Sequence, residues 1–353
     1  MMRFYSKKKI LITGVTGFKG TWLALILKLF GAQVFGIGIK KKEYKFFNFL
    51  KLSSKIRFNN ININNYKKLK EIIKKVQPDI IFHLASESLV ASCNFFPKKA
   101  VTTNIVGLTN LFLVLKDLDI KKKIIINIVT SDKCYEPNEK RSYKEKDSLG
   151  GMDIYSATKS CQEILSKSFY QSYFKEKKNF FFITLRAGNV IGGGDYSSYR
   201  LFPDIIRSLE NKTKLYIRNP NATRPWQHIY DCLCGYLLAG KYCLKNNIKY
   251  SSWNFGPKEK SIKVLDIIKI LNRKNFLIKS EVLIKKNFIK ESKNLFLNSN
   301  KARRFLKWKS RFSYNQAITE TFQVYNLIKN FSYKSLLHNK INERLYNYFF
   351  TTT

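Results

Sequence analysis

Through its first half the chain alternates short apolar runs with segments of helical length and period, and that alternation leaves few folds open. "KKILITG" reads as a strand, "GTWLALILKLFG" as a helix ending at Gly31, and "AQVFGIGI" as the next strand. "YKKLKEIIKKV" is helical, "PDIIFHLA" is a strand opened by Pro78, and "TTNIVGLTNLFLVLKDL" is a helix. "KIIINIVTS" follows as a strand, "DIYSATKSCQEILSKSFYQSYF" as a long helix and "NFFFITLRAGNVIG" as a strand. Strands joined by helices of this length need right-handed crossovers, so the expected class is α/β, a doubly wound parallel sheet covered on both faces. After Gly192 the elements shorten and loops lengthen, which predicts a smaller region packed against the strand ends. The expected division is 1–188 for the sheet domain with the reactive residues, 189–330 for a C-terminal substrate-binding region, and 331–353 for an appended helix and tail.

Composition narrows the function classes. The chain has 353 residues, 44% of them hydrophobic, enough for a substantial core. No window reaches the ~18 uninterrupted apolar residues of a membrane span. The basic start "MMRFYSKKK" is followed by only three apolar residues, Ile10 to Ile12, before the glycines begin, so a cytoplasmic protein is expected. Six cysteines without CxxC spacing and three histidines argue for reduced structural thiols and against a metal site. A formal charge of +41 would suit nucleic acid, but the lysines lie in dispersed short runs (7–9, 40–42, 121–123) in a chain rich throughout in Lys, Asn, Ile, Phe and Tyr. That pattern favours compositional drift over a dedicated nucleic-acid surface.

"ITGVTGFKGTWLALIL" places Gly14, Gly17 and Gly20 between the first strand and the first helix. Glycines there let the backbone turn tightly and approach a pyrophosphate, which sits on the positive end of the helix. The position within a repeating βα pattern makes this a Rossmann-type dinucleotide site. The second strand ends in Lys40, Lys41 and Lys42, where an acidic residue commonly takes the adenosine ribose. A solvated turn is the preferred reading; a 2′-phosphate site for NADP is the alternative.

Tyr155 and Lys159 in "YSATK" stand four residues apart and project from one helix face. A neighbouring ammonium lowers the pKa of a phenol, so Tyr155 can serve as a base. One βα unit earlier, "IINIVTSDKCY" delivers Ser131, Asp132 and Lys133 at the end of an apolar strand, on the edge where a nicotinamide would lie.

Taken in order, "ITGVTGFKG", "FHLASESLV", "TSDKCYE", "GGMDIYSATKS", "LRAGNVIGGGD" and "RNPNATRPWQH" resemble the extended short-chain dehydrogenase/reductases over residues 8 to 330. More narrowly they are similar to the nucleotide-sugar 4,6-dehydratases, in particular those that take CDP-glucose in deoxysugar and surface-polysaccharide synthesis. The resemblance implies bound NAD, with Gly14, Gly17, Phe18, Lys19, Gly20, Asn62 and Ala85 around it beside Tyr155 and Lys159. It implies Tyr155, aided by Lys159, as base at the carbon 4 hydroxyl, Ser131 orienting that hydroxyl, and Asp132 as acid for the hydroxyl leaving carbon 6. Lys133 stands where related dehydratases carry the Glu that acts at carbon 5, and is either the base there or a stabiliser of the enolate. Asn189, Arg200, Arg218, Arg224 and His228 are the implied substrate contacts, and a homo-oligomer, dimer or tetramer, is expected.

Three stretches depart from that pattern. Ser86, Glu87 and Ser88 replace Ala-Gln-Pro and would bring an extra carboxylate near the sugar or cofactor. Asn62 replaces an aspartate at the adenine, and Met152 and Ile154 flank Asp153 in place of Tyr and Pro. A different nucleotide-sugar dehydratase or a 4-epimerase is the competing enzyme, although an epimerase needs no acid at carbon 6. From another class, a cofactor-binding scaffold or a basic nucleic-acid-associated protein would have no use for the intact set Ser131, Asp132, Lys133, Tyr155 and Lys159.

Overall fold

The structure, a computed structural model, describes residues 1–42, 44–137, 141–217, 219–257, 261–273, 280–282, 296–330 and 334–351. Its centre is a sheet of seven strands: β1 (Lys9–Thr13), β2 (Gln33–Gly38), β3 (Arg57–Asn60), β4 (Ile80–His83), β5 (Ile124–Val129), β6 (Phe180–Ala187) and β7 (Tyr250–Phe255). They lie in the order β7-β6-β5-β4-β1-β2-β3. Every neighbouring pair is parallel. The direction of winding reverses between β1 and β4, and such a switch opens a crevice at the carboxyl ends of the strands. Thr13 of β1 sits opposite His83 of β4 at that crevice, with Thr13 Oγ1 and His83 Nδ1 2.9 Å apart.

The central strands are buried along almost their whole length because both faces are covered. All six residues of β5, "IIINIV", are buried, as are all eight of β6. On one face lie α1 (Phe18–Leu29) and, packed beside it, the long helix Ile229–Lys245. On the other lie α2 (Tyr66–Val76) and α3 (Gly107–Asp117). Next in chain order, α4 (Ile154–Phe169) carries the YSATK face, and α5 names the helix Ile229–Lys245. A separate cluster of Ile191, Phe202, Ile205, Leu215, Ile267 and Phe322 forms the core beside the strand ends. The final helix, α6 (Lys334–Phe350), belongs to the main core: Leu337, Ile341, Leu345 and Tyr348 are buried there, and Tyr348 Oη donates to Asp231 Oδ1 at 2.6 Å.

Strands β3 and β7 are not evident in the sequence pattern. β3, "RFNN", is a short polar edge strand with no buried residue, and β7 carries serines within "YSSWNF". No described helix is long and apolar enough to cross a membrane. Among the described residues no group of three or more His, Cys, Asp or Glu side chains could hold a metal ion.

Candidate active site

A cavity of about 1430 Å³ runs along the carboxyl edge of the sheet from the glycine loop to the region after Gly188. The glycine loop forms one end. Gly14 adopts φ +70°, and a Cβ on it would lie 2.6 Å from Ala85 N, so both conformation and space demand glycine. A Cβ on Gly20 would collide with Gly14 O, which keeps α1 close under β1. Gly17 differs: a Cβ there would meet only Gly14 O, at 3.4 Å, so its bare backbone is open to a ligand. It is the N-cap of α1 and offers no side-chain cap, leaving first-turn N–H groups for an anion. Phe18, Lys19 and Ala85 line this end, with Ala85 N donating to Thr13 Oγ1 at 3.3 Å. These features fit a dinucleotide pyrophosphate. Lys19 Nζ donates to Tyr236 Oη at 3.3 Å. Asn62 also lines the cavity, its Oδ1 accepting from Asn64 N at 3.0 Å. Of the three lysines after β2, Lys41 is at the cavity wall.

The reactive set stands at the middle. β5 ends at Val129, and Ser131, extended at φ −153°, caps a single 3-10 turn of Asp132, Lys133 and Cys134. Ser131 Oγ accepts from Lys133 N at 3.2 Å and donates to Asp132 Oδ1 at 2.8 Å. Burial raises the Asp132 carboxyl above its ordinary value, against the pull of Lys133, Ser131, Lys19 and Arg224, so it keeps its proton longer than a surface aspartate. Lys133 is half-buried and lines the cavity.

α4 brings the phenol and the amine. Asp153 caps it, Oδ1 accepting from Ser156 N at 3.0 Å, while the flanking Met152 and Ile154 face outward. Tyr155 is buried, and burial raises its phenol, opposed by an interaction with the Ser131 hydroxyl. Lys159 Nζ lies 5.8 Å from the centre of the Tyr155 ring. Burial, followed by repulsion from Lys19, lowers the Lys159 ammonium to about 7. Near neutrality this amine can therefore gain or lose a proton beside the phenol.

Lys159 is also steered. Its Nζ donates to Gln162 Oε1 at 2.9 Å and to Val129 O at 3.4 Å. Gln162 Nε2 in turn donates to Asn104 O at 2.8 Å, inside a π-helical turn at Thr102–Val106. Asn104 Oδ1 accepts from Glu87 N at 2.7 Å and Ser86 Oγ at 2.8 Å, fixing the loop after β4. Glu87 lines the cavity, and its carboxylate pairs with Lys99 at 2.7 Å.

The far end holds the remaining residues. Asn189 and Arg224 line the cavity, and Arg200 lines it while pairing with buried Asp195 at 3.1 Å. His228 does not reach it. It is 1% exposed, lowered to about 3 by burial, and its Nδ1 accepts from Tyr230 N at 3.3 Å to cap α5. Arg218 lies outside the described residues.

Residues 11–321 match the family of GDP-mannose 4,6 dehydratase. The chain belongs to that family. It is 37% identical over 272 residues to the CDP-glucose 4,6-dehydratase of Salmonella typhimurium, covering 75% of each chain. It is 26% identical over 322 residues to the UDP-glucuronate 4-epimerase of Thermodesulfobacterium geofontis, covering 88% of this chain and 94% of that one. Two solved structures share the fold. The UDP-glucuronic acid 4-epimerase of Bacillus cereus, in complex with UDP-glucuronic acid and NAD, superposes at a TM-score of 0.76 with 24% identity, over 91% of this chain and 98% of that one. The dTDP-glucose 4,6-dehydratase of Bacillus anthracis, in complex with NAD, superposes at 0.73 with 19% identity, over 91% and 96%.

Beyond the set read from this dehydratase-family sequence, the structure adds Asn104 and Gln162. Gln162 was open to discovery, since Tyr155, Lys159 and Gln162 follow the i, i+4, i+7 spacing of one helix face. Asn104 carries only a faint signal, a lone amide in the apolar run "TTNIVGL".

Proposed function

We propose that this protein is an NAD-dependent CDP-glucose 4,6-dehydratase, converting CDP-glucose to CDP-4-keto-6-deoxyglucose and water. The observation that carries the reading is buried Asp132, its carboxyl raised by burial, beside Lys133 in the cavity that Tyr155 and Lys159 also line. Tyr155 and Lys159 alone would serve an oxidation at carbon 4. An acid and a cation next to them serve an elimination.

Bound at the glycine loop, the dinucleotide supplies a reversible acceptor for the hydrogen of carbon 4, to be returned at carbon 6. Tyr155 takes the hydroxyl proton at carbon 4, its negative charge favoured by the Ser131 hydroxyl against the burial that raises the phenol, with the Lys159 amine 5.8 Å from the ring centre to exchange protons nearby. The resulting ketone acidifies the proton on carbon 5. Lys133 removes that proton or neutralises the enolate that forms. Asp132 gives its proton to the hydroxyl leaving carbon 6, which departs as water. Return of the hydrogen at carbon 6 leaves an enolate that takes back a proton at carbon 5 from the group that removed it, and the proton held by Tyr155 replaces the one Asp132 gave, so atoms balance with no external reductant. Arg200 and Arg224, both at the far end of the cavity, suit a nucleotide diphosphate. CDP-glucose is favoured over other nucleotide sugars by the Salmonella relative.

Purified protein incubated separately with CDP-glucose and UDP-glucose, without added reductant, should form a 4-keto sugar from the CDP substrate far faster. No product from either would remove the reading. A homo-oligomer is part of the same proposal: Ile154 and Ile164 on the helix that carries Tyr155, and Val101 and Val106 on the helical segment packed against it, expose apolar side chains. Light scattering should give the mass of a dimer or tetramer. Six free cysteines suit the reducing cytoplasm as its place of work.

A further inference from the structure

Behind the cavity wall lies a buried ion pair with no part in the reaction as described. Glu163 of α4 and Arg186 of β6 are 1% and 3% exposed, and neither lines the cavity. Arg186 Nε donates to Glu163 Oε1 at 2.9 Å and Nη2 to Oε2 at 2.7 Å. Each carboxylate oxygen takes a second donor: Thr130 Oγ1 reaches Oε1 at 2.5 Å, and Thr184 Oγ1 reaches Oε2 at 2.7 Å. The third guanidinium nitrogen, Nη1, donates to Tyr135 Oη at 2.7 Å and to Glu145 O at 3.1 Å. Tyr135 Oη passes its own proton to Asn254 Oδ1 at 2.7 Å, and its ring stacks on Tyr143 with centres 4.8 Å apart.

Of the four groups the pair holds, Thr184 and the Glu145 carbonyl lie elsewhere, and the other two are Thr130 and Tyr135. They bracket the segment that carries Ser131, Asp132 and Lys133. Between them the Cys134 carbonyl accepts from Ser160 Oγ at 2.8 Å, and the Ser131 hydroxyl meets Tyr155. A buried ion pair contributes little net stability over apolar side chains of the same volume, so packing alone does not account for this one. Geometry does. Arg186, on the strand next to β5, holds Tyr135 directly, and the Glu163 carboxylate it grips holds Thr130, so one rigid pair reaches both ends of a six-residue stretch whose side chains must be placed to a fraction of an ångström.

We propose that the Glu163–Arg186 pair is a positioning device, which fixes Thr130 and Tyr135 and so aims Asp132 and Lys133 at the substrate. The elimination role of that segment rests on the proposed function; the fixing of the segment does not. The pair acts through other residues and touches no reacting atom. Thr130→Val and Tyr135→Phe each remove one grip while keeping the shape of the side chain, and Thr130→Ser keeps the hydroxyl.

The test uses the full-length protein and reads two quantities. Amide hydrogen exchange in 131–136 should quicken by ~10-fold or more in Thr130→Val and Tyr135→Phe, with β1 and β4 unchanged. With CDP-glucose, kcat should fall roughly 10- to 100-fold while KM changes by less than about twofold. Thr130→Ser should stay near wild type in both. Unchanged exchange in both variants, or a Thr130→Ser as impaired as Thr130→Val, would overturn the device. A wild-type protein inactive on CDP-glucose would overturn the proposed function instead, and the exchange comparison would still decide whether the segment is held.

Discussion

Asp132 and Glu163 are carboxylates buried at the same end of the sheet, 5% and 1% exposed, yet their surroundings push them in opposite directions. Around Glu163 burial raises the carboxyl, but Arg186 and the hydroxyls of Thr130 and Thr184 outweigh it and hold the group ionised. Around Asp132 burial wins: Ser131 supplies a hydrogen bond at 2.8 Å, while Lys133, Lys19 and Arg224 act through space. The difference separates scaffold from chemistry. A carboxylate with every lone pair answered is fixed in charge and place, and one left short of partners takes up a proton more readily and can hand it on.

The contrast can be broken by exchange of each carboxylate for its amide. Asp132→Asn should cost turnover of CDP-glucose ~10²- to 10⁴-fold, the range for a lost general acid, with secondary structure intact by circular dichroism. Glu163→Gln should instead cost stability, about 3–5 kcal/mol in denaturant unfolding, because Arg186 is left buried without its counter-charge. Lys133→Met should lower dehydration roughly 100-fold and leave the unfolding midpoint where it is, since the side chain is half-buried and faces the cavity. A variant with full turnover would remove Lys133 from the elimination.

The smallest effect lies in the pH dependence of stability, and its sign differs between the two groups. Glu163 has its folded pKa below the unfolded one, so its contribution is present above the ordinary glutamate range and is lost as pH falls through the folded value. Asp132 has its folded pKa raised, so its contribution is present in acid and is lost as pH rises through the folded value. Asp132→Asn should therefore raise the unfolding midpoint slightly at neutral pH and not at pH 4, as thermal melts at the two pH values would show. A midpoint lowered at neutral pH would mean that Asp132 is as well served as Glu163.

The same contrast explains what could be read from the residues alone. The glycine loop, the strand end at Ser131 and the helix face of Tyr155 and Lys159 are local patterns, and the structure brings them to one cavity. The partners of Glu163 come from β5 and β6, brought together by the sheet register that sets Val129 beside Leu185, and no spacing in the chain announces them. The π-helical turn that presents the Asn104 carbonyl leaves the apolar period of "TTNIVGLTNLF" almost undisturbed. Edge strand β3 lacks alternation because little of it is buried. Of the two roles open to His228, structural or substrate-side hydrogen bonder, the structure gives the first: its ring is taken up in capping α5.

The account turns on elimination with internal return of hydrogen, and isotopes test it directly. CDP-glucose deuterated at carbon 4, turned over in ordinary water with no reductant, should yield a 4-keto-6-deoxy product that carries the deuterium at carbon 6. A product that keeps carbon 6 hydroxylated and returns the deuterium to carbon 4, the outcome of an epimerase, would contradict it.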